Sequence, residues 1–309
     1  MKRILISIFA ILVCIICFPV HAHAEDIVQL SATYTYEEML EDISLLTATY
    51  PEYVTSQSAG ATAQGRSIPL IIVGNPNATH AVMVQSTMHA REYIVSQTSM
   101  ATVEYIATLM ATEQIPDIVQ NVCFYVVPMA NPDGVVISQT INSNWKANAN
   151  GVDLNRQMDV NWQYLDTKGV TAPGPENFKG YAPESENEIK ALKTIAQSRN
   201  FDCYISYHMK GNIIYYDDDF VEPEISALSE LVAVTVSHTN GYRPYNLKTT
   251  NASGITTMGG FTDWVQVILK KPGITVECGT KCGPAGQGQA KSIFRKNRDT
   301  WISMARLFF

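Results

Sequence analysis

The sequence predicts an α/β fold built on a largely parallel sheet with helices on both faces. Two observations carry that prediction. Short apolar runs alternate with longer segments of helical periodicity. The runs are nearly continuous in apolar residues, as expected of strands buried on both faces. A third observation sets the scale. The chain has 309 residues, 46% hydrophobic and 17% charged, which is ample core for one large domain and excludes a disordered or fibrous protein.

The first element is a leader. Lys2 and Arg3 precede the apolar run Ile4–Val20, and Ala22-His23-Ala24 supplies small residues at cleavage spacing. Residues 1–24 are therefore expected to be a signal peptide of a secreted or cell-envelope protein. Residues 25–309 are expected to form a single domain with no stable membrane association. The formal charge is −7, and loss of Lys2 and Arg3 makes the remainder more acidic. Such a chain lacks the basic field that a nucleic-acid partner requires. Beyond the leader the cysteines are Cys123, Cys203, Cys278 and Cys282. The first two sit in apolar runs and read as buried thiols. The last two share a Gly-rich turn, where a small disulfide is open to them.

The remaining elements follow in order. Helical patterns cover Tyr36–Thr49, Glu92–Met110, Glu184–Ser198, Pro223–Asn240 and Gly286–Leu307. Pro223 suits a first helical position, where its missing N–H costs nothing. Strand patterns cover Pro69–Val73, Ala81–Gln85, Val122–Pro128, Asp202–Tyr207, Ile213–Tyr216 and Ile274–Glu277. The stretch Asn142–Pro183 is polar and rich in Gly, Pro and Asn, the composition of a functional loop.

The chemistry-bearing residues sit at predicted strand ends. His89-Ala90-Arg91-Glu92 follows the strand Ala81–Gln85 and opens a helical pattern, so one imidazole and one carboxylate can share a side. His208 ends the strand Asp202–Tyr207. Alone, it would read as a strand-end histidine satisfied by a carbonyl. Together, two histidines and one glutamate leave an open position on a tetrahedral zinc. His80 and His238 read as structural or surface residues. In Gly151-Val152-Asp153-Leu154-Asn155-Arg156, the Asn155–Arg156 pair suits a carboxylate, and Asp153 can take the second N–H of a ligating histidine. Glu277 ends a buried apolar strand, where a carboxylate is costly unless it is paired or functional, and a general-base role fits it.

The set resembles the zinc metallocarboxypeptidase family, the carboxypeptidase A-like fold. The resemblance rests on His89-Ala90-Arg91-Glu92, Asn131-Pro132-Asp133-Gly134, Gly151–Arg156, Ser206-Tyr207-His208, Gly259-Gly260-Phe261-Thr262-Asp263-Trp264 and Thr275-Val276-Glu277, in the family's order. It runs from about Tyr34 to the C-terminus and implies a catalytic domain without a prodomain, around a mixed, largely parallel twisted sheet of about eight strands. It implies one zinc per chain on His89, Glu92 and His208, with Glu277 as general base. It further implies Asn155 and Arg156 holding a substrate carboxylate, Asp153 behind His89, Arg91 near the incoming chain, and Thr262 in the specificity pocket. Lys146 stands where digestive members carry an oxyanion-stabilising Arg. It keeps the charge but not the fork. Ile255 stands where many members carry a mobile Tyr.

The implied substrate is a peptide with a free C-terminal carboxylate. The run Trp145–Arg156 looks like bacterial members, some of which cut peptidoglycan stem peptides between D-γ-glutamate and diaminopimelate. A non-catalytic peptide-binding protein is the third alternative, disfavoured because the ligands and Glu277 are all present. Asp217-Asp218-Asp219 reads as a solvated loop or as a feature favouring an amino group. A monomer is expected.

Overall fold

The structure is a computed structural model that describes residues 26–30, 33–165, 167–217, 220–247 and 259–309. The leader, Ile255 and Asp218-Asp219 lie outside the described residues. Helix α1 (Tyr36–Thr49) begins with a reciprocal capping box between Thr35 and Glu38. There follow β1 (Val54–Ala61), β2 (Ser67–Gly74), β3 (His80–Ser86), α2 (Ile94–Ala111), α3 (Pro116–Asn121), β4 (Val122–Val127), α4 (Pro132–Thr140) and α5 (Asn187–Gln197). The second half supplies β5 (Cys203–His208), β6 (Ile213–Tyr216), α6 (Pro223–Asn240), β7 (Arg243–Asn246) and β8 (Gly273–Glu277), with short helices at Phe261–Trp264, Ala290–Asn297 and Thr300–Ala305.

The strands form one mixed eight-stranded sheet in the order β1-β2-β4-β3-β5-β8-β6-β7. Its centre, β4-β3-β5-β8, is parallel throughout. Alternate residues of each central strand enter opposite cores. Val82 and Val84 of β3 join α1, α2 and the C-terminal helices, whereas Ala81 and Met83 join α5 and the Phe261–Trp264 helix. That double burial is the reason the central strands read as unbroken apolar runs. Among the described residues, no helix is long and apolar enough to cross a membrane.

Several features depart from expectation, among them the unpredicted helices α3 and Phe261–Trp264 and an α5 shorter than Glu184–Ser198. Strands β1 and β7 lie at the two edges of the sheet, where the sequence pattern predicts no strand. The sequence of β1, Val-Thr-Ser-Gln-Ser-Ala-Gly-Ala, is mostly exposed and offers no apolar run to detect. The predicted helix at Glu92 begins instead as a 3-10 turn, Ala90–Glu92, before α2. The predicted terminal helix, Gly286–Leu307, starts within a 3-10 segment, Gly283–Gln289, because glycines at 286 and 288 weaken its first turn, and it continues as two short helices, Ala290–Asn297 and Thr300–Ala305. Helix α4 is hidden in Asn131-Pro132-Asp133-Gly134. Asn131 caps it by accepting from the Gly134 N–H at 3.0 Å, and Pro132 occupies its first turn.

The positions of β3, β5 and β8 make the site. From β3 the chain proceeds to β4 on one side, while β5 joins β3 on the other, so the order reverses there. Such a switch point leaves a crevice at the carboxyl ends of the strands. Three adjacent parallel strands deliver His89, His208 and Glu277 to that edge, and His208 and Glu277 are register partners.

Candidate metal centre

His89 leaves β3 through a tight turn in which Thr87 adopts φ +57°. A β-branched residue is strained there. Its hydroxyl is fastened to Ser96 Oγ at 2.7 Å, and Ser96 in turn donates to the Pro128 carbonyl at 2.7 Å. The Ala90 N–H donates to the Lys146 carbonyl at 3.0 Å. Asn131 donates its amide to the carbonyls of Met88 and Ala147, so the capping residue of α4 also ties both sides of this turn. A Cβ on Gly134 would come within 2.5 Å of the Ala147 carbonyl, which explains the glycine in that motif.

The turn brings three donors to one point. His89 Nδ1 lies 2.9 Å from Glu92 Oε1, His208 Nδ1 lies 3.1 Å from Glu92 Oε2, and the two Nδ1 atoms are 3.1 Å apart. All three residues are buried. The Met209 N–H donates to Glu92 Oε2 at 3.1 Å. Burial raises the Glu92 carboxyl, but the two imidazoles outweigh it and hold it well below the usual carboxylate range. Burial likewise lowers His208, and its hydrogen bond and attraction to Glu92 reverse that, raising it above an ordinary histidine.

This donor set fits a zinc ion. Two imidazole nitrogens and one carboxylate are zinc ligands, and bonds of about 2.0–2.2 Å at tetrahedral angles need ligand separations of about 3.3–3.6 Å. The observed separations are 2.9–3.1 Å, so small side-chain shifts suffice. Two ring nitrogens that face each other and the same carboxylate also compete for one proton, a frustration that a cation removes.

Asp153 lies behind His89. Its Oδ1 is 3.3 Å from His89 Nε2, and its Oδ2 accepts from Lys146 Nζ at 2.7 Å. Burial raises this carboxyl, but Lys146, then His89 and Arg156, hold it well below the usual range. Lys146, expected to face the oxyanion, is thus tied to Asp153. Its charge still reaches His208 and Glu277.

Glu277 stands beside the triad. Its Oε2 is buried with no hydrogen-bond partner. Burial raises its carboxyl to about 7, with His208 opposing and Glu92 reinforcing that shift. Asn155 Oδ1 accepts from the Phe261 N–H at 3.2 Å, and a Cβ on Gly260 would lie 2.8 Å from that oxygen. The Asn155 amide and the Asp263 carboxylate close over this position, which accounts for the glycine. Arg156 donates only to the Asn155 carbonyl and has no ion pair among the described residues. Thr262 shares a 2.8 Å hydrogen bond with Thr275 of β8. Arg91 donates to the Asn144 carbonyl and pairs with Glu176 at 3.3 Å.

The remaining residues singled out from the sequence are placed as follows. His80 pairs with Asp202 at 3.3 Å and His238 sits in the last turn of α6. Asp217 is buried and accepts from Asn246 at 3.1 Å, so it is not part of a solvated run. Cys123 and Cys203 are buried thiols, and Cys278 and Cys282 are also unpaired. Cys278 is fully buried, whereas the Cys282 thiol donates to the Met209 carbonyl. Sequence reasoning missed the Met209 N–H, Asn131 as a tie for the His89 turn, and Thr87. A backbone donor leaves no sequence signal, whereas a β-branched residue two positions before a candidate ligand is a detectable one.

Comparison with known proteins agrees with this geometry. The family model described as zinc carboxypeptidase matches residues 39–303. The chain is 28% identical over 289 residues to gamma-D-glutamyl-L-diamino acid endopeptidase 1 of Lysinibacillus sphaericus, covering 85% of this chain and 70% of that protein. It is 24% identical to carboxypeptidase A2 of Rattus norvegicus, covering 88% and 69% respectively. Among solved structures, thrombin activatable fibrinolysis inhibitor superposes with a TM-score of 0.78 at 20% identity, over 92% of this chain and 80% of that one, a likeness of fold.

Proposed function

The chain belongs to the zinc carboxypeptidase family, and from that premise we propose that it hydrolyses the peptide bond next to a residue bearing a free carboxylate, outside the cytoplasm. The protein is a metallopeptidase. One observation carries the finer reading: His89, Glu92 and His208 converge, and beside them Glu277 presents a carboxylate oxygen with no partner. A bound zinc polarises the scissile carbonyl and makes water acidic enough to ionise near neutrality.

The protein's own residues do the rest. Glu277 takes a proton from the attacking water and returns it to the leaving amine. Its Oε2, buried and without a partner, is free to accept that proton and to return it. Arg156, with no ion pair of its own among the described residues, holds the terminal carboxylate, and Asn155 stands next to it. Lys146 supplies positive charge toward the oxyanion while its ion pair fixes Asp153 and thereby His89. The reading of residues 1–24 as a leader supports export.

A second reading, cleavage of cell-wall stem peptides, is favoured by the resemblance to the Lysinibacillus enzyme and by the Trp145–Arg156 run. One digest separates the readings. Zinc-loaded protein receives a panel of ordinary C-terminal peptides and a γ-D-glutamyl-diaminopimelate stem peptide, with products identified by mass. Release of single C-terminal residues from the ordinary peptides alone removes the cell-wall reading. Glu277→Gln is expected to lower kcat by about 10²–10⁴-fold with zinc still bound. Full activity in that variant removes Glu277 from its role.

A further inference from the structure

A second cationic cluster lies beside the triad, and neither the zinc ligands nor the carboxylate anchor uses it. A cavity of about 530 Å³ is lined by Arg91, Asn144, Lys210, Lys281 and Cys282, among others. Lys210 and Lys281 are exposed and have no carboxylate partner among the described residues. Arg91 is only partly neutralised, since Glu176 meets it at 3.3 Å and is itself nearly half exposed. Three cations facing one carboxylate leave a net positive pocket.

The backbone fixes where this pocket lies relative to the scissile bond. It borders the triad through Met209, whose N–H holds Glu92 and whose carbonyl accepts the Cys282 thiol. Arg91 stands between His89 and Glu92 in the chain. Asn155 and Arg156 follow Asp153, which lies behind His89, and Asn155 packs against Gly260 and Phe261. Glu92, Arg91, Lys210 and Glu277 all act electrostatically on the Cys282 thiol, so the pocket and the triad are neighbours. With Arg156 holding the carboxylate of the leaving residue, this pocket is left for the acyl side of the peptide.

We propose that this pocket is an anion subsite for the acyl side of the substrate, selecting a carboxylate within the residue that supplies the scissile carbonyl. The inference rests on the peptidase reading above. Two sources offer that chemistry. One is an acidic side chain in an ordinary peptide. The other is a γ-linked glutamyl residue, which spends its side-chain carboxyl on the scissile bond and keeps its α-carboxylate free.

Four peptides with the same leaving lysine test it: acetyl-Ala-γ-D-Glu-Lys, its α-amide, acetyl-Ala-L-Glu-Lys and acetyl-Ala-L-Gln-Lys. Zinc-loaded wild type is expected to favour the acid over its amide in KM by about 5- to 10-fold, the scale of two partly exposed charge pairs. The pair that shows the preference identifies the source. The double variant Lys210→Ala/Lys281→Ala is expected to lose the preference while cleaving the amides at the wild-type rate. Equal cleavage of acid and amide by wild type, or a preference that survives in the double variant, overturns the subsite and leaves the peptidase reading intact. No hydrolysis of any peptide with zinc bound overturns the peptidase reading. Calorimetric binding of the same acid–amide pairs then decides the subsite: equal affinities overturn it, and tighter binding of the acid that is lost in the double variant supports it.

Discussion

Glu92 and Asp153 on the floor of the site, and Lys210 and Lys281 on its rim, carry charge under opposite conditions. The floor carboxylates are buried and each faces a cation or an imidazole within 3.3 Å. The rim lysines are exposed and face solvent. A buried charge is tolerated because its partner is already in place, so the floor is a set of mutual dependencies. An exposed charge has its own hydration and contributes little to folding. The floor is therefore committed to holding an ion in one geometry. The rim is free to meet whatever substrate arrives.

Substitutions that exchange these conditions test the contrast, and the floor should show the largest effect. Asp153→Ala removes the partner of Lys146, whose side chain is only 12% exposed. A loss of about 3 kcal/mol in chemical denaturation is expected, with zinc affinity about 10–100-fold weaker in a chelator competition. A variant as stable as wild type would mean that Lys146 finds water, and the floor would then resemble the rim.

Arg156→Ala comes next. It removes a charged hydrogen-bond donor worth about 1.5–3 kcal/mol, so kcat/KM for a peptide with a free C-terminal carboxylate should fall about 10- to 150-fold. The corresponding C-terminal amide should be little affected. An equal loss on both peptides would assign Arg156 to the floor.

Glu188 of α5 gives the smallest and most distant test. Burial, with Glu186 and Asp133 adding to it, raises its carboxyl from 4.5 to about 7, and Oε1 has no partner. The folded state therefore keeps a proton that the unfolded chain releases above about 4.5. Stability falls as pH rises from that value to about 7, and the penalty is complete above it. Glu188→Gln should raise Tm at pH 8 by the equivalent of about 1–3 kcal/mol and leave Tm at pH 4 nearly unchanged. Equal shifts at both pH values would show that the change acts through packing.

Much of the fold is legible in the sequence. Tyr36–Thr49 and Pro223–Asn240 match their helical patterns to the residue, because each combines periodicity with a start signal, a capping box in one and an N-terminal proline in the other. The central strands are legible because burial on both faces leaves a continuous apolar run. The edge strands β1 and β7 are not, because they owe their pairing to the neighbour and not to their own side chains. Helix α4 stays hidden because Asn, Pro, Asp and Gly also spell a turn, and only the position of Asn131 between Met88 and Ala147 selects the cap.

The sequence by itself determined which residue types could form the site and that they lie at strand ends. It did so because histidines are few and a carboxylate at the end of an apolar run is costly, and both are properties of the chain alone. Tertiary structure alone decided how the charges are shared. Glu92 and His208 are 116 positions apart, a spacing that carries no pattern, and they meet because β3 and β5 are adjacent at the switch point. Lys146 is bound to Asp153, Arg156 carries no ion pair among the described residues, and Lys210 joins Lys281 across one cavity for the same reason. Electrostatic pairing depends on distance in space, and the chain sets that distance only when the sheet has closed.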